Sequence, residues 1–170
     1  MPTRQKHQLD RTDWQILRLL QDNARLSNVE LAQKVHLTPS PTLSRVKALE
    51  DSGVIQRYVT LLDPAELGLH MSVFIRVTLD KQTKKNQETF ESAVRDFPEV
   101  MECFSMSGDS DYLLRVMVSD MHELEHFVLE KLIKLAEIAN IRSSLALKQV
   151  KYQTALPLPA LSARAGRSGR

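Results

Sequence analysis

The stretch that decides the fold is residues 27–51, SNVELAQKVHLTPSPTLSRVKALED. Ser27 and Glu30 stand three apart, the spacing at which a hydroxyl and a carboxylate each satisfy an orphan backbone donor at a helix start. Leu31 and Val35 then continue an apolar face, so a short helix is predicted there, closed by a turn at His36-Leu37. Thr38 is placed to cap the next helix, and Pro39 sits at its first position, where a missing N–H costs nothing. That helix is predicted to run to about Asp51 and to stop at Ser52-Gly53, where glycine can take the left-handed cap conformation. Leu43, Val46 and Leu49 read as its inward stripe; Ser40, Thr42, Ser44, Arg45 and Lys47 read as its outward one.

Upstream, Trp14, Ile16, Leu17, Leu19 and Leu20 give a helical stripe from Leu9 to Leu20, with Asp10, Arg11, Asp13 and Arg18 left for water. Three short helices with a tight second turn form a helix-turn-helix, whose last helix can enter a major groove roughly 12 Å wide. On that reading double-stranded DNA is the partner. Arg45 would make a bidentate contact to guanine or hold a phosphate, and Ser40, Thr42, Ser44 and Lys47 would bond base edges or phosphates. The competing reading of the same residues is a solvated helix face. Val54–Leu61 reads as a strand or extended exit, and Asp63-Pro64 as a boundary.

Downstream the rhythm changes. Met71, Val73, Ile75, Val77 and Leu79 alternate with polar residues, the period of a half-buried strand. Phe90, Ala93, Val94 and Phe97 fall at helical spacing; Val100–Met106 and Tyr112–Val118 read as strands joined by the turn Gly108-Asp-Ser-Asp111. A helix from Ser119 or Asp120 to about Leu135, with Phe127, Leu132 and Leu135 inward, precedes a fourth strand at Ile141–Val150. The order is βαββαβ, a ferredoxin-like arrangement with two helices on one face of an antiparallel sheet. Phe74, Cys103, Leu113, Met117 and Ala146 are expected to make the other face too apolar to leave wet, so a second chain is its expected cover.

The fold class is thus α+β: a helix-turn-helix domain at 8–61, a linker at 62–70, a βαββαβ domain at 71–153 and a flexible basic tail at 154–170. The composition, 42% apolar and 26% charged, is that of an ordinary globular protein. The net charge of +2 conceals +3 in residues 1–61, −4 in 62–153 and +3 in 154–170, so polyanion contact belongs to the ends. No window approaches the roughly 18 apolar residues of a membrane span, and Met1–Gln8 lacks the apolar segment of a signal peptide. A cytoplasmic protein without membrane contact is expected. The single cysteine, Cys103, allows no intrachain disulfide and is expected simply to pack.

His122-Glu-Leu-Glu-His126 satisfies a zinc-peptidase pattern, two histidines one helical turn apart with a glutamate as general base. A third ligand is missing, because positions 129 and 132 are leucines and no acidic residue follows Glu137. The segment reads as a solvated helix face, His7 and His70 receive no role, and neither metal, cofactor nor enzymatic activity is expected.

Together, Leu9-Asp-Arg-Thr-Asp13, Ser27-Asn-Val-Glu-Leu-Ala32, Pro39-Ser-Pro41, Arg45-Val46 with Leu49-Glu50, Gly53-Val-Ile55 and Ser107-Gly-Asp-Ser-Asp-Tyr-Leu-Leu114 resemble the Lrp/AsnC family of transcription factors. The likeness runs from about Leu9 to about Gln153, in order and at the family's spacing. It implies a DNA-binding helix-turn-helix and a βαββαβ effector domain that pairs into dimers, often octamers, with an amino acid bound between subunits. Gly108, Asp109 and Asp111 match the family's effector loop; Ile133, Leu145 and Ala146 match positions linked with the response to leucine. A glycine turn can take an α-carboxylate, Asp111 can face an ammonium, and the aliphatic groups can receive a side chain, which favours branched-chain amino acids. Without the resemblance, Gly108–Asp111 is a plain hairpin turn with Asp109 bonding its own backbone.

The chain departs from the family at two places. His36 stands where glycine is usual, so a left-handed residue there is strained or the turn altered. Ala136-Glu137 replaces the usual Pro-Gly, so the preceding helix is expected to run on and shift the pocket wall near Ile133. The expected function is a sequence-specific, amino-acid-responsive regulator of amino-acid metabolism genes. The alternative from another class is an architectural protein that wraps DNA with little sequence preference and a steep salt dependence.

Overall fold

The computed structural model describes residues 8–135 and 138–159. Its contacts divide the chain into two units, residues 8–61 with 151–159 in one and 62–150 in the other.

Capping chemistry starts the first two helices. Asp10 Oδ1 accepts from the Asp13 N–H at 2.8 Å and Asp13 Oδ2 accepts from the Asp10 N–H at 3.0 Å, opening α1 (Arg11–Asp22). Ser27 and Glu30 make the same exchange, as their spacing predicted, at the start of α2 (Asn28–Lys34). The third helix, α3 (Pro39–Asp51), has proline at its first position, but the Thr38 side chain does not cap it. The Thr38 carbonyl instead accepts from both the N–H and the hydroxyl of Thr42. Gly53 ends the helix in the left-handed conformation, φ 75°, as expected. Val54–Leu61 forms neither helix nor strand and leaves through a bend at Val54-Ile55, tied back by a 2.9 Å bond from the Tyr58 hydroxyl to Glu50. Ile16, Leu17, Leu31, Val35 and Leu49 form the buried centre of this unit, with Trp14, Val46 and Ile55 packed against it.

The tail belongs here too. The Leu156 N–H donates to Gln21 Oε1 at 2.7 Å, Gln21 Nε2 donates back to the Leu156 carbonyl, and Arg18 donates to the Pro159 carbonyl. Leu158 packs against the same apolar core. Residues 154–159 are therefore a strap across α1 and not the free tail that their composition suggested; residues 160–170 lie outside the described part.

In the second unit the expected βαββαβ order holds: β1 (Met71–Leu79), α4 (Lys84–Arg95), β2 (Val100–Ser105), β3 (Tyr112–Val118), α5 (Met121–His126) and β4 (Ile138–Leu145). The strands make one antiparallel sheet in the order β2-β3-β1-β4. Val73, Ile75, Val77 and Leu79 of β1 and Leu114, Val116 and Val118 of β3 are buried with Phe90, Leu124, Phe127 and Leu132. Each such side chain contributes about 1.5–3 kcal/mol by leaving water. The segment Phe127–Leu132 continues α5 as a π-helical turn. In a plain α-helix two residues five apart point about 140° from each other; the wider turn brings Phe127 and Leu132 both inward, each fully buried. Strand β4 begins three residues earlier and ends five earlier than predicted, because its partner β1 spans only Leu79↔Ile138 to Val73↔Leu145. Ala136-Glu137, where the helix was expected to run on, lies outside the described residues.

His36 is the one non-glycine residue with positive φ among those described, at 56°, and the turn is kept: the Leu37 N–H still donates to the Ala32 carbonyl at 2.9 Å. A left-handed side-chain-bearing residue costs roughly 1–2 kcal/mol, partly offset in glycine by its larger unfolded-state entropy. His36→Gly is therefore expected to raise the stability of this unit by up to about 1 kcal/mol, read as a higher denaturant midpoint at unchanged slope.

Candidate DNA and effector interfaces

The inward stripe of α3 is Thr42, Val46 and Leu49, a regular i, i+4, i+7 set, with Arg45 beside it. Thr42 is 0% exposed, so it does not reach a DNA groove; its hydroxyl is satisfied at 2.9 Å by the Thr38 carbonyl. Leu43, expected inside, is 46% exposed. Ser40, Leu43, Ser44 and Lys47 consequently share the outward side, at the i, i+3, i+4, i+7 spacing of a helical face. Ser44 donates to the Ser40 carbonyl at 3.2 Å and keeps acceptor capacity outward.

Arg45 has another task than the one expected of it. Its Nη1 donates to Asp10 Oδ2 at 2.7 Å and Asp13 Oδ1 at 2.8 Å, pinning α3 to the capping box that opens α1. Asp13, expected on the wet face, is buried for the same reason. Donating those hydrogen bonds to Asp10 and then Asp13 raises the Arg45 pKa. Partial burial pushes the Asp10 carboxyl up, but the Asp13 N–H and the Arg45 guanidinium outweigh it and hold the pKa below the ordinary value.

The Gly108–Asp111 turn sits at the Leu79 end of the sheet, Gly108 having φ 121°, where any side chain would be strained. Asp109 is exposed. Asp111 staples the turn to β1: Oδ2 accepts from the Leu79 N–H at 2.7 Å, Oδ1 accepts from Gln82 at 2.6 Å, and its N–H donates to the Val77 carbonyl. Both carboxylate oxygens thus have internal donors before any ligand arrives. Leu145 pairs with Val73, and the Ala146 N–H donates to the Ser72 carbonyl, at the opposite end of β1. Six residues of strand, about 20 Å, separate them from the turn. Ile133 is exposed and directly follows the π-helical turn. One chain therefore keeps the turn apart from Leu145 and Ala146.

The pleat places Phe74, Leu113, Arg115 and Met117 on the sheet face away from the helices, with Arg115 paired to Glu102 at 2.6 Å. Cys103, expected there, is opposite the buried Leu114 and so faces the helix side. The shift between Val100 and Glu102 in the β2–β3 register moves it across. It lines a cleft of about 390 Å³ between α4 and β2, with Glu91, Arg95, Met101, Ser105 and Tyr112. The Tyr112 hydroxyl donates to Glu91 at 3.0 Å, and burial, then the Glu91 charge, pushes the Cys103 thiol up to about 11. Sequence reading missed this cleft, whose only signal was the polar residues of α4.

His122 and His126 lie exposed on α5, and Glu123, the would-be base, accepts from the Ser119 N–H at 2.9 Å as a helix-start partner. No described helix is long and apolar enough to cross a membrane.

A helix-turn-helix with an exposed polar stripe, joined to an antiparallel sheet unit that matches a ligand-binding domain, defines a DNA-binding transcriptional regulator with a separate ligand-binding domain. The profile for winged helix-turn-helix DNA-binding matches residues 9–56, and that for the Lrp/AsnC ligand binding domain matches residues 72–156. The chain belongs to the Lrp/AsnC family. It is 46% identical over 151 residues to the Bkd operon transcriptional regulator of Pseudomonas aeruginosa, covering 89% of this chain and 99% of that one. The leucine-responsive regulatory protein of Escherichia coli K12 is 40% identical over 148 residues, 87% of this chain and 90% of its own. A transcriptional regulator from Neisseria meningitidis, solved as its L-Met complex, superposes with a TM-score of 0.84 at 44% identity, over 88% of this chain and 97% of that one. These relatives are transcriptional regulators and not enzymes.

Arg45→Met is expected to destabilise the N-terminal unit by about 1–2 kcal/mol, because it leaves buried Asp13 short of a donor; calorimetry checks this. The Asp10 carboxyl has a folded pKa below its unfolded value near 3.8, so its contribution is full above that value and is lost as pH falls through the folded one. Asp10→Asn should therefore flatten the loss of stability below about pH 4.

Proposed function

We propose that this chain is a sequence-specific regulator of amino-acid metabolism genes that acts in the cytoplasm as a homodimer, assembling further into octamers, and answers a branched-chain aliphatic amino acid. The observation that carries the reading is the strand register, which sets the effector-loop residues about 20 Å along β1 from Leu145 and Ala146. A ligand that uses both sets needs two copies of the sheet unit. The open sheet face, with Phe74, Leu113 and Met117, supplies an apolar surface for pairing. In the assembled site Gly108 and Asp109 meet the α-carboxylate and ammonium, Asp111 holds the turn, and Ile133, Leu145 and Ala146 receive the side chain. The leucine-responsive name of one relative and the L-Met bound to another support this ligand class. Paired chains place two α3 helices about one DNA turn, roughly 34 Å, apart over a pseudo-palindromic site. Ser40, Ser44 and Lys47 contact that DNA directly, and Arg45 sets the helix that carries them.

The test is a thermal-shift panel of the common amino acids on the full chain. At about 100 times its dissociation constant the effector stabilises by roughly 2.7 kcal/mol. Leucine, isoleucine or valine should shift the melting point of the protein and should fail to shift that of Gly108→Thr, which retains duplex binding in gel shifts. A response confined to charged amino acids would refute the ligand assignment. Phe74→Asp should reduce the mass in sedimentation toward the 19.4 kDa of one chain; an unchanged assembly would remove this face from the interface.

A further inference from the structure

We infer that Leu43 reads the C5 methyl group of a thymine in the bound DNA, making it a specificity-determining residue of the α3 face. The inference rests on the DNA-binding reading above and adds to it a particular base. Leu43 is 46% exposed and takes no part in the apolar core of its unit, although Val46 and Leu49 of the same helix do. Its outward neighbours at helical spacing, Ser40, Ser44 and Lys47, are polar or cationic. A cation among hydroxyls suits a phosphate-lined groove, and the matched helix-turn-helix segment, residues 9–56, makes α3 its last full helix. Leu43 lies in the N-terminal half of α3, the part of such helices that meets base edges. Within a major groove the thymine methyl is the one apolar group a base edge offers, and an aliphatic side chain is what it contacts. The arginine that hydrophobic patterning put on this face is held by Asp10 and Asp13, so guanine recognition through Arg45 does not compete for the position.

The experiment uses the full-length protein. Duplexes are first selected from a random pool by binding, and each thymine of the selected site is then replaced singly by deoxyuridine, which lacks only the methyl group. One replacement per half-site should weaken wild-type binding about fourfold, the worth of one buried methyl, and should weaken Leu43→Ala by less than twofold. Leu43 is half-exposed, so the variant is expected to melt with the wild type. Indifference of the wild-type protein to every deoxyuridine, or equal sensitivity in the variant, overturns the inference while leaving the regulator reading intact. Failure of the selection to enrich any sequence sinks the regulator reading itself and this inference with it. If Leu43 is instead covered by another chain, Leu43→Ala alters the sedimenting mass and leaves the deoxyuridine response in place, which also overturns it.

Discussion

The ion pair of Arg45 with Asp10 and Asp13 fixes the geometry on which the outward side of α3 depends. Asp10 and Asp13 already hold each other's backbone donors at the start of α1, so their carboxylates are oriented before the guanidinium arrives. A cation placed between two preoriented carboxylates sets the rotation of α3 about its own axis as well as its position. Turning that helix by one residue, 100°, would carry Thr42 into solvent and Leu43 into the core. Asp10 and the guanidinium are partly exposed while Asp13 is buried, and the net worth of the pair in stability is small beside that of the apolar centre. Its larger effect is on which side chains face outward.

In the other unit the constraint is the sheet register. Pairing of β1 with β3 and β4 along its length sends the Gly108 turn to one end and Leu145 to the other. Asp111 reinforces this by bonding the turn to the last residues of β1. Under the proposed function, that separation makes ligand binding a property of an assembly and couples occupancy to subunit arrangement.

Much of this was legible in the sequence because it is local. Ser27 with Glu30, Pro39 and Gly53 announce the helix boundaries, and the alternation from Met71 to Leu79 names the buried strand face. What was misread is non-local or satisfied by backbone. Thr42 is buried because the Thr38 carbonyl, one turn back, takes its hydroxyl, something no hydropathy pattern records. Arg45 looked free for DNA because its partners stand more than 30 residues away in sequence. The ends of β4 follow from the length of β1, and Cys103 crosses the sheet because of a register shift beside it. The proline-bearing tail carried no periodicity, yet Leu156 and Leu158 find α1 through contacts of sequence separation 135 and more.

That strap changes the connectivity of the molecule. The polypeptide leaves the helix-turn-helix unit at Leu61, builds the sheet unit and comes back at Lys151, so the sensor is threaded into the DNA-binding part as an insert with two covalent roots. A single protease nick in the 62–70 segment would leave the fragments joined through the returning segment and its grip on Gln21. Separating the two functions takes two cuts, and a recombinant helix-turn-helix made of residues 8–61 alone would lack Leu158 from its core.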